Sequence, residues 1–198
     1  MEGSPYAKAH ARRNPLHSGR SALAHRRASA YIGAMHAFTP IITNDKAALH
    51  ADLRAAAAAL VAGEPDAIAN MANVAALIWQ YLPDLNWAGV YRLIGEELVL
   101  GPFQGKPACI RIALGAGVCG TAAATRTTQI VADVNAFPGH IACDAGSASE
   151  IVVPLVHEGR LLGVLDLDSP RIGRFDAADA RGLEALAAAI MPALAGSI

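Results

Sequence analysis

Three cysteines, at positions 109, 119 and 143, are all that the 198 residues hold. An odd count in a chain with 54% hydrophobic residues excludes the dense disulfide framework of small secreted domains, because a core of this size needs no staples. Long apolar runs are missing too. The longest, "ALAAAIMPALAG", is about a dozen residues with a proline inside, against the ~20 that span a bilayer, so no transmembrane helix is expected. No uninterrupted apolar segment precedes a small-residue cleavage site, which argues against secretion. The expected location is the reducing cytosol, where a cysteine pair that forms a disulfide is more often catalytic or redox-sensing than structural. Phosphate-loop and zinc signatures are likewise absent. "GAGVCG" has neither the Walker lysine-serine pair nor a complete GxGxxG fingerprint in a βαβ setting. Nine and twenty-three residues separate the cysteines, with His140 and His157 nearby, so the close ligand pairs of structural zinc sites are not there. No metal and no organic cofactor are expected.

Charge is scarce and unevenly placed. Residues 1–36 carry six Lys or Arg against one Glu (+5), which leaves ten basic against sixteen acidic residues (−6) in the remainder. An acidic body is poorly suited to nucleic acid. The first 36 residues show no sustained apolar period and are expected to form a disordered extension. Their Arg-rich, acid-poor composition fits a transit peptide as well as an inert leader ahead of Met35.

From residue 37 onward the pattern reads as one domain. Thr43 or Asn44 can cap a helix through "DKAALHADLRAAAAALVAG" that Gly63 ends, and Pro65 can open a second through "DAIANMANVAALIWQYL" that Pro83 stops. Six strand signals follow: "WAGVYRLIG", "ELVLGPFQG", "ACIRIAL", "QIVADV", "EIVVPLVHEG" and "RLLGVLDLD". "LIGEEL" and "VHEGRL" read as hairpin turns. "GVCGTAAATR" is a short helix opened by glycines, and "FDAADARGLEALAAAIMPAL" a closing helix with Asp176 near its start. The expected fold is α+β, a central and mostly antiparallel six-stranded sheet flanked by helices.

The chemistry concentrates in a few places. Cys143 lies in "GHIACDAGSASE", a polar, glycine-containing loop that solvent or a ligand can reach, so it is the candidate nucleophile. Cys119 follows "GAG" at a helix start, where the dipole would lower its pKa. Asp166 and Asp168 are two apart in "LDLD" and therefore point to one face of a strand. Glu150 opens the preceding strand. Carboxylates buried together raise at least one pKa, leaving a neutral acid near neutral pH. Trp87 and Tyr91, four apart, also share a strand face and could wall a pocket. The backbone amides of "DAGSAS", around Gly146 and Ser147, could bind a carboxylate as a nest.

The strings "NWAGVY", "GPFQGKPACIRI", "GAGVCGTAA", "ASEIVVPL" and "GVLDLDSP", in this order and spacing, resemble the free methionine-R-sulfoxide reductases, which are single GAF domains. The likeness runs from about residue 43 to 195 and includes the three-cysteine spacing. It implies a GAF-like domain over 37–198 that reduces free L-methionine-(R)-S-oxide and is recycled by thioredoxin or a similar dithiol. It further implies Cys143 as nucleophile, Cys109 as resolving cysteine and Cys119 as at most an auxiliary thiol. Glu150, Asp166 and Asp168 fall where that family's acidic site residues stand, and Trp87 and Tyr91 beside its ligand. "GPFQGKPAC" would be a mobile or glycine-bent segment carrying Cys109 toward the pocket. The alternative is a GAF sensory module that binds a small ligand without turnover, although no kinase, cyclase or DNA-binding segment is recognised. A homodimer through the Ala-rich "RAAAAAL" face is permitted.

Overall fold

The computed structural model describes residues 38–139 and 146–195. The 1–36 extension, and with it the expected domain boundary, lies outside the described residues, as does Cys143. Among the described residues, four α-helices, α1 (Lys46–Val61), α2 (Ala67–Tyr81), α3 (Gly117–Thr125) and α4 (Ala177–Leu194), accompany six strands. The strands are β1 (Trp87–Ile94), β2 (Glu97–Gly105), β3 (Arg111–Ala113), β4 (Gln129–Val131), β5 (Ser149–His157) and β6 (Arg160–Ser169). They form one sheet in the order β3-β2-β1-β6-β5-β4. Every pairing is antiparallel, more uniformly than the expected "mostly".

Local chemistry explains most boundaries, with small departures from expectation. Asp45, rather than Thr43 or Asn44, caps α1 by accepting from the Ala47 amide at 2.9 Å, while Thr43 Oγ1 accepts from the Asp45 amide. Asp66 caps α2 by accepting from Ala69, so Pro65 stands just outside the helix that it was expected to open. Gly63 turns the chain between them at φ +83°, a left-handed backbone that a side chain would strain. β3 and β4 are three residues each, shorter than the apolar patterns suggested. β4 ends early because Asp133, accepting from the Asn135 amide, starts a 3₁₀ turn at Val134–Ala136. Asp176 caps α4 within a reciprocal box with Asp179, and the helix continues through Pro192.

Strand alternation splits the core in two. Ala88 and Val90 of β1, Ile151, Val153 and Leu155 of β5, and Leu165 and Leu167 of β6 pack with α1, α2 and α4 on one face. The intervening residues Trp87, Tyr91, Val152 and Val164 pack with Val118, Cys119, Ala122 and Ala123 of α3 on the other. That second face, covered only by a short helix and loops, is where a pocket can form. Two of the five alanines of the Ala-rich α1 stretch are consumed in the first core, since Ala56 and Ala57 are buried and Ala55, Ala58 and Ala59 are exposed. Among the described residues no helix is long and apolar enough to cross a membrane.

A buried ionic cluster ties α1 to α4. Asp179 accepts from Lys46 Nζ at 2.5 Å and from Arg174 Nη1 at 3.3 Å, and it bonds His50 Nε2 at 3.0 Å. Burial alone would raise the Asp179 pKa, but the bonds from His50 and Lys46 outweigh it and hold the carboxyl well below its ordinary range. His50 is admitted by Gly182, where a Cβ would lie 2.2 Å from the imidazole. Removing the shared anion leaves the buried Arg174 guanidinium and the buried His50 ring without their carboxylate partner, so Asp179→Ala is expected to cost about 3–5 kcal/mol in denaturant unfolding. Unchanged stability would show the cluster to be incidental.

Candidate active site

The pocket opens on the α3 side of the sheet and is built from one row of cross-strand neighbours and the row beside it. Trp87 of β1 lies opposite Asp168 of β6, which lies opposite Glu150 of β5. In the adjacent row on that face, Gly89 faces Asp166, which faces Val152. The register therefore delivers all three predicted acids and Trp87 to one place. The cleft holds about 530 Å³ of space, part of it open to solvent, and is closed by Ala116 to Cys119 at the start of α3 and by Pro107 and Ala108.

Aromatic packing forms one wall. Trp87 stacks on Tyr91 with ring centroids 5.7 Å apart and on Phe103 of β2 at 5.3 Å. Trp87 and Tyr91 are 3% and 2% exposed, so they are core residues and pocket walls at once. Gly89 makes this arrangement possible: a Cβ there would meet the Trp87 ring at 2.6 Å and Phe103 Cβ at 2.4 Å. The Trp87 indole donates to the Lys106 carbonyl at 3.2 Å, fixing the chain just after Gly105. Gly105, at φ +123°, bends the "GPFQGKPAC" segment back over the pocket, as the glycine-bent reading expected. Half-buried Cys109 follows directly and is disulfide-bonded.

The opposite wall is acidic. Glu150 and Asp166 are buried and Asp168 half-buried. Burial, then the nearby Asp166 and Asp168, push the Glu150 carboxyl well above its ordinary pKa. Burial likewise raises Asp166 to about 7, against lowering bonds to Cys119 and Glu150. Desolvation is the leading cause for both, so at neutral pH this wall holds protons. Tyr91 is pushed up by burial and then by Asp166, and it stays a neutral phenol. Among the described residues, the buried Asp166 Oδ1 has no hydrogen-bond partner.

Cys119 departs from expectation. Its place in the first turn of α3 suggested a lowered pKa, yet burial and the Asp166 and Glu150 charges raise it well above the ordinary thiol value. A helix terminus is worth about 0.3–1 kcal/mol, too little against full desolvation beside two acids. Cys119 is thus a neutral thiol, donating to Glu150 Oε1 at 3.9 Å. It is free, whereas Cys109 is not.

Two contributors escaped the sequence. Phe103 backs Trp87, and the signal was the small residue at position 89 directly across the β1–β2 pair. Asn86, just before β1, donates through Nδ2 to Ser147 Oγ at 3.0 Å while its amide donates to the Asp168 carbonyl at 3.0 Å. Ser147 lines the pocket, so Asn86 ties the segment after Cys143 to the acid-bearing strand.

Raised folded-state pKa values have a signed consequence. Asp166 binds its proton more tightly folded than unfolded, so its contribution is full below its ordinary value near 3.8 and is lost as pH rises through about 7. Asp166→Asn is therefore expected to raise Tm relative to the parent at pH 8, with the gap closing toward pH 4. A gap independent of pH would contradict the buried neutral acid.

Fold and site together define an α+β domain of the GAF class: the GAF domain model matches residues 68–195, and the chain belongs to that family. The chain is 52% identical over 151 residues to the free methionine-R-sulfoxide reductase of Escherichia coli K12, covering 76% of this chain and 92% of that protein. It is 50% identical to the free methionine-R-sulfoxide reductase of Saccharomyces cerevisiae over 133 residues, 63% of this chain and 74% of that one. The X-ray structure of the Neisseria meningitidis free methionine-R-sulfoxide reductase in complex with its substrate superposes with a TM-score of 0.78. It is 45% identical, covering 82% of this chain and 98% of that one. Within the GAF family, the chain belongs with the free methionine-R-sulfoxide reductases.

Proposed function

We propose that this protein reduces free L-methionine-(R)-S-oxide to L-methionine, with Cys143 as nucleophile and Cys109 as resolving thiol. The observation that carries the reading is a pocket with buried, proton-holding carboxylates on one wall and stacked aromatics on the other, in a chain half identical to enzymes of that name. The Cys143 thiolate attacks the sulfoxide sulfur, and Glu150 or Asp166 supplies the proton as the S–O bond is transferred. Methionine leaves and the oxygen stays on Cys143 as a sulfenic acid. The Cys109 thiol displaces that oxygen as water and forms the disulfide, which thioredoxin or a similar dithiol reduces. The Trp87–Tyr91 wall takes the S-methyl end, while half-buried Asp168 attracts the ammonium. Amides around Gly146 and Ser147 receive the carboxylate. A cytosolic setting, which keeps the thiols reduced, and a GAF domain over 37–198 belong to the same reading.

The test is stoichiometric. Reduced protein given free sulfoxide without recycling reductant should form one methionine for each pair of thiols consumed. Sulfoxide binding with neither product nor thiol loss would favour the sensory module instead. For the carboxylate end, Ser147→Ala removes the Asn86 bond that holds these amides in place and is expected to raise KM about 2–10-fold with kcat nearly unchanged, the scale of one hydrogen bond. Unchanged KM would remove Ser147 from the binding site.

A further inference from the structure

Sequence spacing spoke against zinc because the cysteines lack close partners, but folding assembles a different donor set. Cys119 of α3, Glu150 of β5 and Asp166 of β6 bring one sulfur and two carboxylate oxygens within 4.8 Å of one another. All three residues line the pocket. One further observation points to a ligand there. Asp166, 5% exposed, has a buried Oδ1 that no described donor satisfies. The Cys119 Sγ to Glu150 Oε1 distance is 3.9 Å. Tetrahedral coordination with Zn–S of about 2.3 Å and Zn–O of about 2.0 Å separates sulfur and oxygen by roughly 3.5 Å, a few tenths less than this.

We propose that the pocket is also a site for a thiophilic divalent cation such as Zn²⁺, ligated by Cys119 Sγ, Glu150 and Asp166, and that occupation excludes the substrate. Metal binding releases the protons that Cys119, Glu150 and Asp166 hold, and a borderline-soft metal suits the resulting thiolate and carboxylates better than Mg²⁺ or Ca²⁺, which prefer oxygen alone. The ion occupies space next to the Trp87 wall, where the amino acid's polar groups would otherwise lie. Metal in the cell would then hold the reductase inactive by competition, without touching Cys109 or Cys143.

Those two cysteines could themselves bind metal, so the test removes them. The full chain carrying Cys109→Ser and Cys143→Ser is titrated with Cd²⁺ and with Co²⁺ in the absence of thiol reductant. A single thiolate-to-metal charge-transfer band, saturating at one ion per chain, is expected. It should vanish when Cys119→Ala is added, and Asp166→Asn should weaken binding by about tenfold or more. In the parent protein, Zn²⁺ should raise KM for the sulfoxide and leave kcat unchanged. No band in the double variant would overturn the proposal, and so would a band that persists undiminished with both Glu150→Gln and Asp166→Asn. Retained near-ultraviolet circular dichroism in each variant shows that loss of binding is not loss of fold. Binding is read spectroscopically without substrate, so its failure is separable from failure of the catalytic reading.

Discussion

Replacing Cys143 with serine is expected to abolish reduction of free methionine-(R)-sulfoxide, lowering kcat/KM by roughly three orders of magnitude or more, because a hydroxyl at neutral pH is not a nucleophile toward sulfur. Cys109→Ser should behave differently. It keeps the attacking thiol and the acid wall, so it should release one methionine per chain and then stop unless a small thiol reaches the sulfenic acid directly. Thioredoxin-dependent cycling should be lost. Cys119→Ser should spare cycling, since Cys119 is buried as a neutral thiol against Glu150. Mass spectrometry of quenched reactions checks all three variants, the sulfenic acid appearing only where Cys143 is kept and Cys109 is gone. Normal cycling by the Cys143 variant would defeat the assignment.

The acid wall should matter nearly as much. Glu150→Gln and Asp166→Asn are isosteric and keep hydrogen-bonding capacity, but neither can give up a proton. Each is expected to lower kcat by about 10²–10⁴-fold. The direction of the pKa shifts fixes the pH dependence. Both carboxyls hold protons above the ordinary carboxylate range, chiefly because burial disfavours their charged forms, with Asp166 near 7. The parent should lose kcat as pH rises through about 7, on a limb that belongs to the Glu150–Asp166 pair rather than to one residue. The nucleophile's need to be a thiolate pulls the other way at low pH, so the profile should be bell-shaped. In either acid variant the alkaline limb should flatten. A profile that climbs monotonically to pH 9 would show that no protonated carboxyl takes part.

Much of this was legible before folding. The alternation in β1, β5 and β6 announced which residues share a face, so Trp87, Tyr91, Asp166 and Asp168 could be grouped by counting in twos. Glu150 at the start of β5 joined them because antiparallel pairing sets it opposite Asp168. Contacts between distant elements were harder to read. The sign of the Cys119 shift depends on α3 laying its first turn over two buried acids, and local helix electrostatics pointed the other way. Phe103 and Asn86 act through the β1–β2 register and a bond across to Ser147, neither of which has a local pattern. The edge strands β3 and β4 were overestimated for a similar reason, since apolar runs show propensity while pairing needs a partner.

The claim beneath the whole account is that an acid-lined pocket reduces one free amino acid of one configuration. The most direct measurement supplies the reduced protein, with a recycling dithiol, with free R sulfoxide, free S sulfoxide and the R sulfoxide within a peptide, and quantifies the thioether formed. The account predicts turnover of the free R form and almost none of the other two, because a peptide has neither the ammonium nor the carboxylate that the pocket is built to hold. Comparable rates for the peptide or for the S form, or binding of the free R form with no methionine produced, would contradict it.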